Sequence, residues 1–298
     1  MKPVANSPVQ RLAKFGLTTQ NIDRLVRFFV LAFDCREVER QRRSGSEFER
    51  LMGIRGGATS VTLQLGDARI EILGFDHPGS SYVANLSAYD NQFQHFALVC
   101  KDMGLAYSGL SSVAGWSSIS TAGPQQLPAS SGSVKAFKFR DPDGHPLELL
   151  SFPPGEAPPH WRNPSSASLF LGIDHSAVSC SNAGAAIDFY ETMGLSLVAR
   201  TINQGIEQEL LDGISAPHLD VFTLAPPNPT PHIELLCYRD RGIGRTTSIQ
   251  SNDIAATRLI LECDTTPSSD ACETLVFDPD GHHLIVTSVG PGIPAHKA

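Results

Sequence analysis

The chain has 298 residues, enough for about two average domains or for one internally repeated architecture. Apolar residues make up 41% and charged residues 18%, which supplies core-forming side chains and excludes global disorder. With 31 acidic against 23 basic residues the net charge is −8, which argues against a nucleic-acid partner. No apolar run approaches the roughly 20 residues of a membrane-spanning helix. The opening residues Met1 to Pro8 contain no continuous apolar segment, so export is not expected. Cys35, Cys100, Cys180, Cys237, Cys263 and Cys272 are scattered and form no C-x-x-C pair. Isolated thiols of this kind fit buried filler in a reducing cytoplasm.

Along the chain, Ile22, Leu25, Val26 and Phe29 recur at helical spacing behind Asn21, a good N-cap, and predict a helix. The mixed-charge run Arg36 to Arg43 reads as a solvated strand or loop. Strand-like runs follow, among them Arg69-Ile-Glu-Ile-Leu73 and His95-Phe-Ala-Leu-Val99. Phe139-Arg-Asp-Pro-Asp-Gly-His145 carries an Asp-Gly hairpin signal. The proline-rich stretch Pro153 to Ser166 reads as an extended linker near the middle of the chain. A second helix is predicted from about Ala183 to Met193, with Ala186, Ile187 and Tyr190 on one side and Gly194 as its stop.

These segments echo one another. Asn21 precedes Phe28-Phe29 by seven residues, as Asn182 precedes Phe189-Tyr190. Arg69 to Leu73 resembles His232-Ile-Glu-Leu-Leu236, and Phe139 to His145 returns as Phe277-Asp-Pro-Asp-Gly-His282. His95 to Val99 is matched by Arg258-Leu-Ile-Leu-Glu262. The chain therefore divides into four strand-rich units, at about 12–76, 92–153, 172–239 and 255–289. The last is too short to contain a helix.

Four βαβββ-type units with Asp-Pro-Asp-Gly hairpins, together with Ile173-Asp-His175 leading to Asn182, Phe189-Tyr190 and Met193-Gly-Leu195, resemble the vicinal-oxygen-chelate superfamily. This group includes glyoxalase I, bleomycin-resistance proteins and extradiol dioxygenases. The resemblance implies an α+β fold with two curved, open, eight-stranded sheets. It also implies modules at 1–155 and 170–298, joined by the linker at 156–169. The concave face of such a sheet can hold a divalent metal ion.

In this family the ligands come from the first strand of a unit, usually His, and from its last strand, usually Glu. Carried onto this chain, the slots hold Lys14 and Glu71, His95 and Glu148, His175 and Glu234, and Arg258 and Ile285. Imidazole and carboxylate suit first-row divalent ions, whereas Lys, Arg and Ile do not. Sequential pairing of units would mix ligands with cations in both sheets. Pairing the second unit with the third collects His95, Glu148, His175 and Glu234 in one site and leaves the other site dead, and this arrangement is favoured.

Two His and two Glu leave room for two neighbouring substrate oxygens on Ni²⁺, Zn²⁺, Mn²⁺, Fe²⁺ or Co²⁺. The expectation is a lyase or isomerase working through an enolate-like intermediate on a small molecule, with Glu148 or Glu234 as base. An Fe²⁺ extradiol dioxygenase and a non-catalytic drug-binding resistance protein are the alternatives. A cytoplasmic monomer or homodimer is expected, with no nucleic-acid or membrane partner. His232 shares the face of Glu234 and fits either an outer support or a solvated residue. His145, His282 and His283 are explained by turn polarity. Glu71 is expected to pair with Lys14 or Arg258. Trp116 and Trp161 suit core or pocket positions.

Overall fold

Asn21 and Asn182 open the two helices expected from their spacing. Each side-chain oxygen accepts from a backbone N–H three residues on, Arg24 N and Ala185 N, both at 3.1 Å. A computed structural model describes residues 7–162, 167–239, 244–245, 247–264 and 273–289.

Its first half runs β1 (Val9–Thr19), α1 (Ile22–Phe33), β2 (Arg36–Arg43), α2 (Ser46–Met52), β3 (Ala58–Leu65), β4 (Ala68–Phe75), β5 (Gln94–Cys100), α3 (Met103–Ser111), β6 (Ser117–Ser118), β7 (Gln125–Gln126), β8 (Lys135–Arg140), β9 (Pro146–Ser151) and α4 (Pro159–Arg162). The second half runs β10 (Phe170–Ser179), α5 (Ala183–Thr192), β11 (Ser196–Gln204), α6 (Ile206–Asp212), β12 (His218–Ala225), β13 (His232–Tyr238), β14 (Arg258–Asp264), β15 (Glu273–Phe277) and β16 (His283–Val289). No described helix is long and apolar enough to cross a membrane.

The strands form two open sheets. One has seven strands in the order β15-β16-β14-β1-β4-β3-β2. The other has nine, β11-β12-β13-β10-β5-β9-β8-β6, with β7 also on β8. The eight-plus-eight count implied by the resemblance therefore becomes seven plus nine among the described residues. The extra strand arises because Gly and Pro interrupt the stretch between α3 and β8, leaving the two-residue strands β6 and β7. Each sheet draws strands from both halves of the chain: β1 pairs antiparallel with β14, and β5 pairs antiparallel with β10. The mixed-charge run at 36–43 is an exposed edge strand, as its composition requires.

Alternation along these strands sorts the side chains. Phe15 and Leu17 on β1, Phe96 and Leu98 on β5, and Leu147 and Leu149 on β9 enter one shared core with Phe29 and Phe33 of α1. Phe15 meets Phe96 at 5.3 Å between ring centroids, so the convex faces of the two sheets pack back to back. The intervening residues point to the concave faces.

The β3–β4 hairpin of the first sheet rests on β10 of the second. Gly66 in its turn has φ +55°, and a Cβ there would lie 1.7 Å from the Leu171 carbonyl oxygen. Gly66→Ala should therefore cost about 2–5 kcal/mol, from left-handed backbone strain and overpacking together. An unchanged urea midpoint for this variant would refute the close seating.

Candidate metal centre

The second sheet gathers four candidate ligands through its register. Ala97 pairs with Glu148 in the parallel β5–β9 ladder, Ala177 with Glu234 in β10–β13, and Ala177 with His95 in the antiparallel β5–β10 ladder. Because Phe96, Leu147, Leu149, Ile233 and Leu235 enter the shared core, the alternate residues His95, Glu148 and Glu234 face the concave side. Donor atoms of His95, Glu148 and His175 all lie within 4.8 Å of one another. Glu234 Oε2 lies 3.6 Å from His175 Nε2.

His95 Nε2 faces Glu148 Oε2 at 3.0 Å, yet neither ring nitrogen of this buried histidine has an aligned hydrogen-bond partner. A buried imidazole without an aligned partner, facing a carboxylate, is an arrangement a cation can complete. Around this pair stands a network that sequence reasoning missed. Lys138, opposite Glu148 in the β8–β9 ladder, places Nζ 3.9 Å from Glu148 Oε2 and 2.7 Å from Asp212 Oδ1. Asp212 also accepts from Gln208 Nε2 at 2.6 Å and from the Tyr238 hydroxyl at 2.8 Å.

Asp174 completes the surroundings. Its Oδ2 lies 3.1 Å from His175 Nδ1, and its Oδ1 accepts from Trp161 Nε1 at 2.7 Å. On a regular strand, neighbours 174 and 175 would face opposite ways. The β5–β10 register is shifted between Ile173 and Ser176, which coincides with this exception. The available signal was a lone acid inside the apolar run from Phe170 to Val178. His232 Nε2 approaches Glu234 Oε1 at 3.6 Å and Asp174 Oδ2 at 4.0 Å, beside the ligands and not out in solvent.

Charge decides what the pocket can hold. Glu148, Asp174, Asp212 and Glu234 bring four carboxylates against the single ammonium of Lys138. Burial alone would lower the His175 pKa, but Glu234 and Asp174 outweigh it and raise it to about 9. Burial likewise works against ionised Glu234, yet His175 and His232 hold its pKa down at about 2. For His95, burial and then Lys138 both push the pKa down, so this imidazole stays neutral. Lys138 stays charged despite its burial because Asp212 and Glu148 lie beside it. A neutral imidazole with unused nitrogens among surplus buried carboxylates fits a divalent cation.

The outer slots occupy the same register in the first sheet. Gly16 pairs with both Glu71 and Arg258, and Ile260 pairs with Ile285. Ile285 is packed among Phe48, Leu73, Phe75 and Ile260. Glu71 does not form the expected contact pair with Lys14 or Arg258. It accepts from Ser60 Oγ at 3.0 Å, and its nearest cation is Arg43 Nη1 at 3.7 Å, because the end of edge strand β2 reaches this face. His145 and His282 stay out of the metal centre, buried against Asp141 and the Ser179 carbonyl at 2.7 and 2.8 Å. Trp116 packs on Phe137 and Phe139, and Trp161 is buried on Asp174.

Residues 11–149 match the sequence model of the Glyoxalase/Bleomycin resistance protein/Dioxygenase superfamily. The matched segment, a little under half of the chain, runs from β1 to β9 and is similar to this superfamily. In structural comparison a likeness of fold extends over nearly the whole chain. Glyoxalase I from Zea mays superposes with TM-score 0.55 at 16% identity, covering 94% of this chain and 92% of that one. A mutant of the maize protein gives 0.57 at 14% identity, with 94% of each chain covered. A putative dioxygenase from Bacillus subtilis gives 0.58 at 13% identity, with 96% and 87% covered. At these identities the likeness concerns the fold. No curated protein sequence matches the chain.

Two outcomes test the centre itself. Since a proton on His175 competes with a cation, metal affinity should rise as pH increases from 7 towards about 9, with proton release on binding. Calorimetry in buffers of different ionisation enthalpy measures that release, and its absence would remove His175 from the ligand set. Asp174→Asn should weaken metal binding about 10–100-fold by loosening His175. Wild-type affinity in a chelator competition would show that Asp174 has no orienting role.

Proposed function

We propose that this protein is a metal-dependent lyase or isomerase of the glyoxalase type, acting on a small molecule that chelates through two neighbouring oxygens. The observation that carries the reading is the convergence of His95, Glu148 and His175 within 4.8 Å, with the nitrogens of His95 unbonded. His95, Glu148, His175 and Glu234 would hold the ion. A bound divalent cation supplies Lewis-acid polarisation of the substrate oxygens, which makes a neighbouring C–H acidic.

The two glutamates are suited to different work. Glu148 is held between His95 at 3.0 Å and Lys138 at 3.9 Å, and only 8% of its side chain is exposed. Glu234 has its neighbours His175 and His232 at 3.6 Å and is 23% exposed, which leaves it room to move. Glu234 is therefore assigned as the base that takes a proton from carbon and returns it. Glu148 remains a fixed anion, kept ionised by its own neighbours. The Lys138 ammonium adds a positive charge beside the place where negative charge develops in an enolate-like intermediate.

A second reading is favoured by one feature of the same geometry. The compact set of donors is two His and one carboxylate, with Glu234 outside it, and that composition also suits an Fe²⁺ dioxygenase.

Metal content of protein purified without chelators, followed by deuterium wash-in to a small hydroxyketone in D2O, separates the readings. The lyase or isomerase reading expects one ion per chain, lost in both His95→Ala and His175→Ala, and enzyme-dependent exchange at the carbon beside the carbonyl. Glu234→Gln should keep the ion and slow exchange about 10²–10⁴-fold. Oxygen uptake on catechol by the Fe²⁺ form, without any exchange, would replace this reading with the dioxygenase one. An equal rate loss confined to Glu148→Gln would move the base to that residue.

A further inference from the structure

The cysteines are scattered along the chain, but the fold brings two of them side by side. In the parallel ladder between β10 and β13, Val178 pairs with Leu235 and Ser179 with Leu236. The next step sets Cys180 beside Cys237, and Cys180 N still donates to the Leu236 carbonyl oxygen at 3.0 Å. Alternation carries Val178, Cys180, Leu235 and Cys237 to the convex side, where all four meet the shared core. Both sulfurs therefore leave the same face of neighbouring strands.

Neighbouring strands run about 4.8 Å apart, within the roughly 4.4–6.8 Å between Cα atoms that a disulfide spans. Cys180 lies one residue past the end of β10 and before the Asn182 cap, so its Cβ can turn without breaking a later ladder pair. The Cys237 sulfur, and then burial, push the pKa of the Cys180 thiol up. Cys180 is thus the protonated partner, whose S–H points at Cys237.

A cavity of about 190 Å³ opens at this point, lined by both cysteines and by Asn91, Ser181, Asp220 and Arg239. That is smaller than the roughly 300–1,000 Å³ of pockets for drug-sized ligands, and its wall offers polar groups to a small hydroxylic molecule. Cys180 is 9% exposed whereas Cys237 is half-buried, so an entering oxidant meets Cys237 first.

We propose that Cys180 and Cys237 form an oxidation site, which hydrogen peroxide converts to a reversible intrachain disulfide. The Cys237 sulfur attacks one peroxide oxygen, the O–O bond breaks, one water leaves, and Cys237 becomes a sulfenic acid. The Cys180 sulfur then displaces the sulfenic hydroxyl, which departs as a second water while the S–S bond closes. Two thiols are oxidised to one disulfide, one peroxide is reduced to two waters, and both thiol hydrogens end in water. The bridge ties the end of β10 to β13 on the face opposite the candidate metal ligands, and it does not depend on the reaction assigned there.

The test treats reduced full-length protein with hydrogen peroxide, stops the reaction with catalase, and alkylates the remaining thiols. Peptide mapping without reductant is expected to show Cys180 linked to Cys237, in a pair that dithiothreitol separates. Cys237 should lose its thiol about ten-fold faster than the buried Cys35, Cys100 and Cys263. In Cys180→Ser the linked pair should vanish, and dimedone should trap the sulfenic acid at Cys237. In Cys237→Ser the thiol of Cys180 should stay open to alkylation once the protein is unfolded. The wild-type map decides by itself if either variant does not fold. Sulfinic acid at Cys237 without linkage, linkage of either residue to another cysteine, or survival of both thiols would overturn the site.

Discussion

The antiparallel ladder between β5 and β10 is the contact on which the proposed metal centre rests. Each strand brings one histidine, and each neighbouring parallel strand, β9 or β13, brings one glutamate. Each half of the chain supplies one His and one Glu to the candidate ligand set. The pairing of Ala177 with His95 makes the two half-sets into one. A slip of one residue would turn His95 into the packed core and push Phe96 onto the polar face. That error would bury a polar imidazole beside Phe15 and expose an aromatic ring, so packing on the convex side fixes the placement of the proposed ligands on the concave side.

The same ladder logic operates between β1 and β14, where Gly16 faces Arg258. The backbone framework is therefore common to both sheets, and a few side chains decide what each concave face can hold. In the second sheet carboxylates outnumber cations, and an imidazole keeps unused nitrogens. In the first, Arg258 keeps unused donors, while Ile285 joins the apolar cluster around Phe75. Low dielectric sharpens both cases, because an imbalance that water would hide at the surface must be met by a partner inside.

Much of this was legible in the residues. Asn21 and Asn182 marked helix starts because a side-chain cap is a local interaction, and Gly194 marked a stop for the same reason. His95, Glu148, His175 and Glu234 came from the ligand slots that the family resemblance implies, and the structure gathers three of them within 4.8 Å. What could not be read depended on contacts remote in the chain or on irregular backbone. Arg43 reaches Glu71 from the end of an edge strand, a contact no spacing encodes. Lys138 lies on the face of Glu148 by simple alternation, but its partner Asp212 sits at the end of α6, 74 residues away. Asp174 was hidden by the rule that neighbours on a strand diverge.

The role of Asp174 also changes how the middle of the chain is understood. The stretch 156–169 reads as a linker by composition, yet α4 within it carries Trp161, whose indole N–H is bonded to Asp174 at 2.7 Å. Asp174 in turn holds the far nitrogen of His175, leaving Nε2 directed towards Glu234. The same helix touches the first sheet through His160 and Asp67 at 2.9 Å, but both side chains are largely exposed, so that pair contributes little. The firm links are the buried ones: Trp161 to Asp174, and the Gly66 turn seated against Leu171. The turn and α4 meet at Gly172, where a Cβ would lie 2.5 Å from Asp67 Oδ1 and 3.0 Å from the Trp161 ring. A segment that joins the halves thus also orients a proposed ligand, because the indole that fills space beside Gly172 is the one that fixes Asp174.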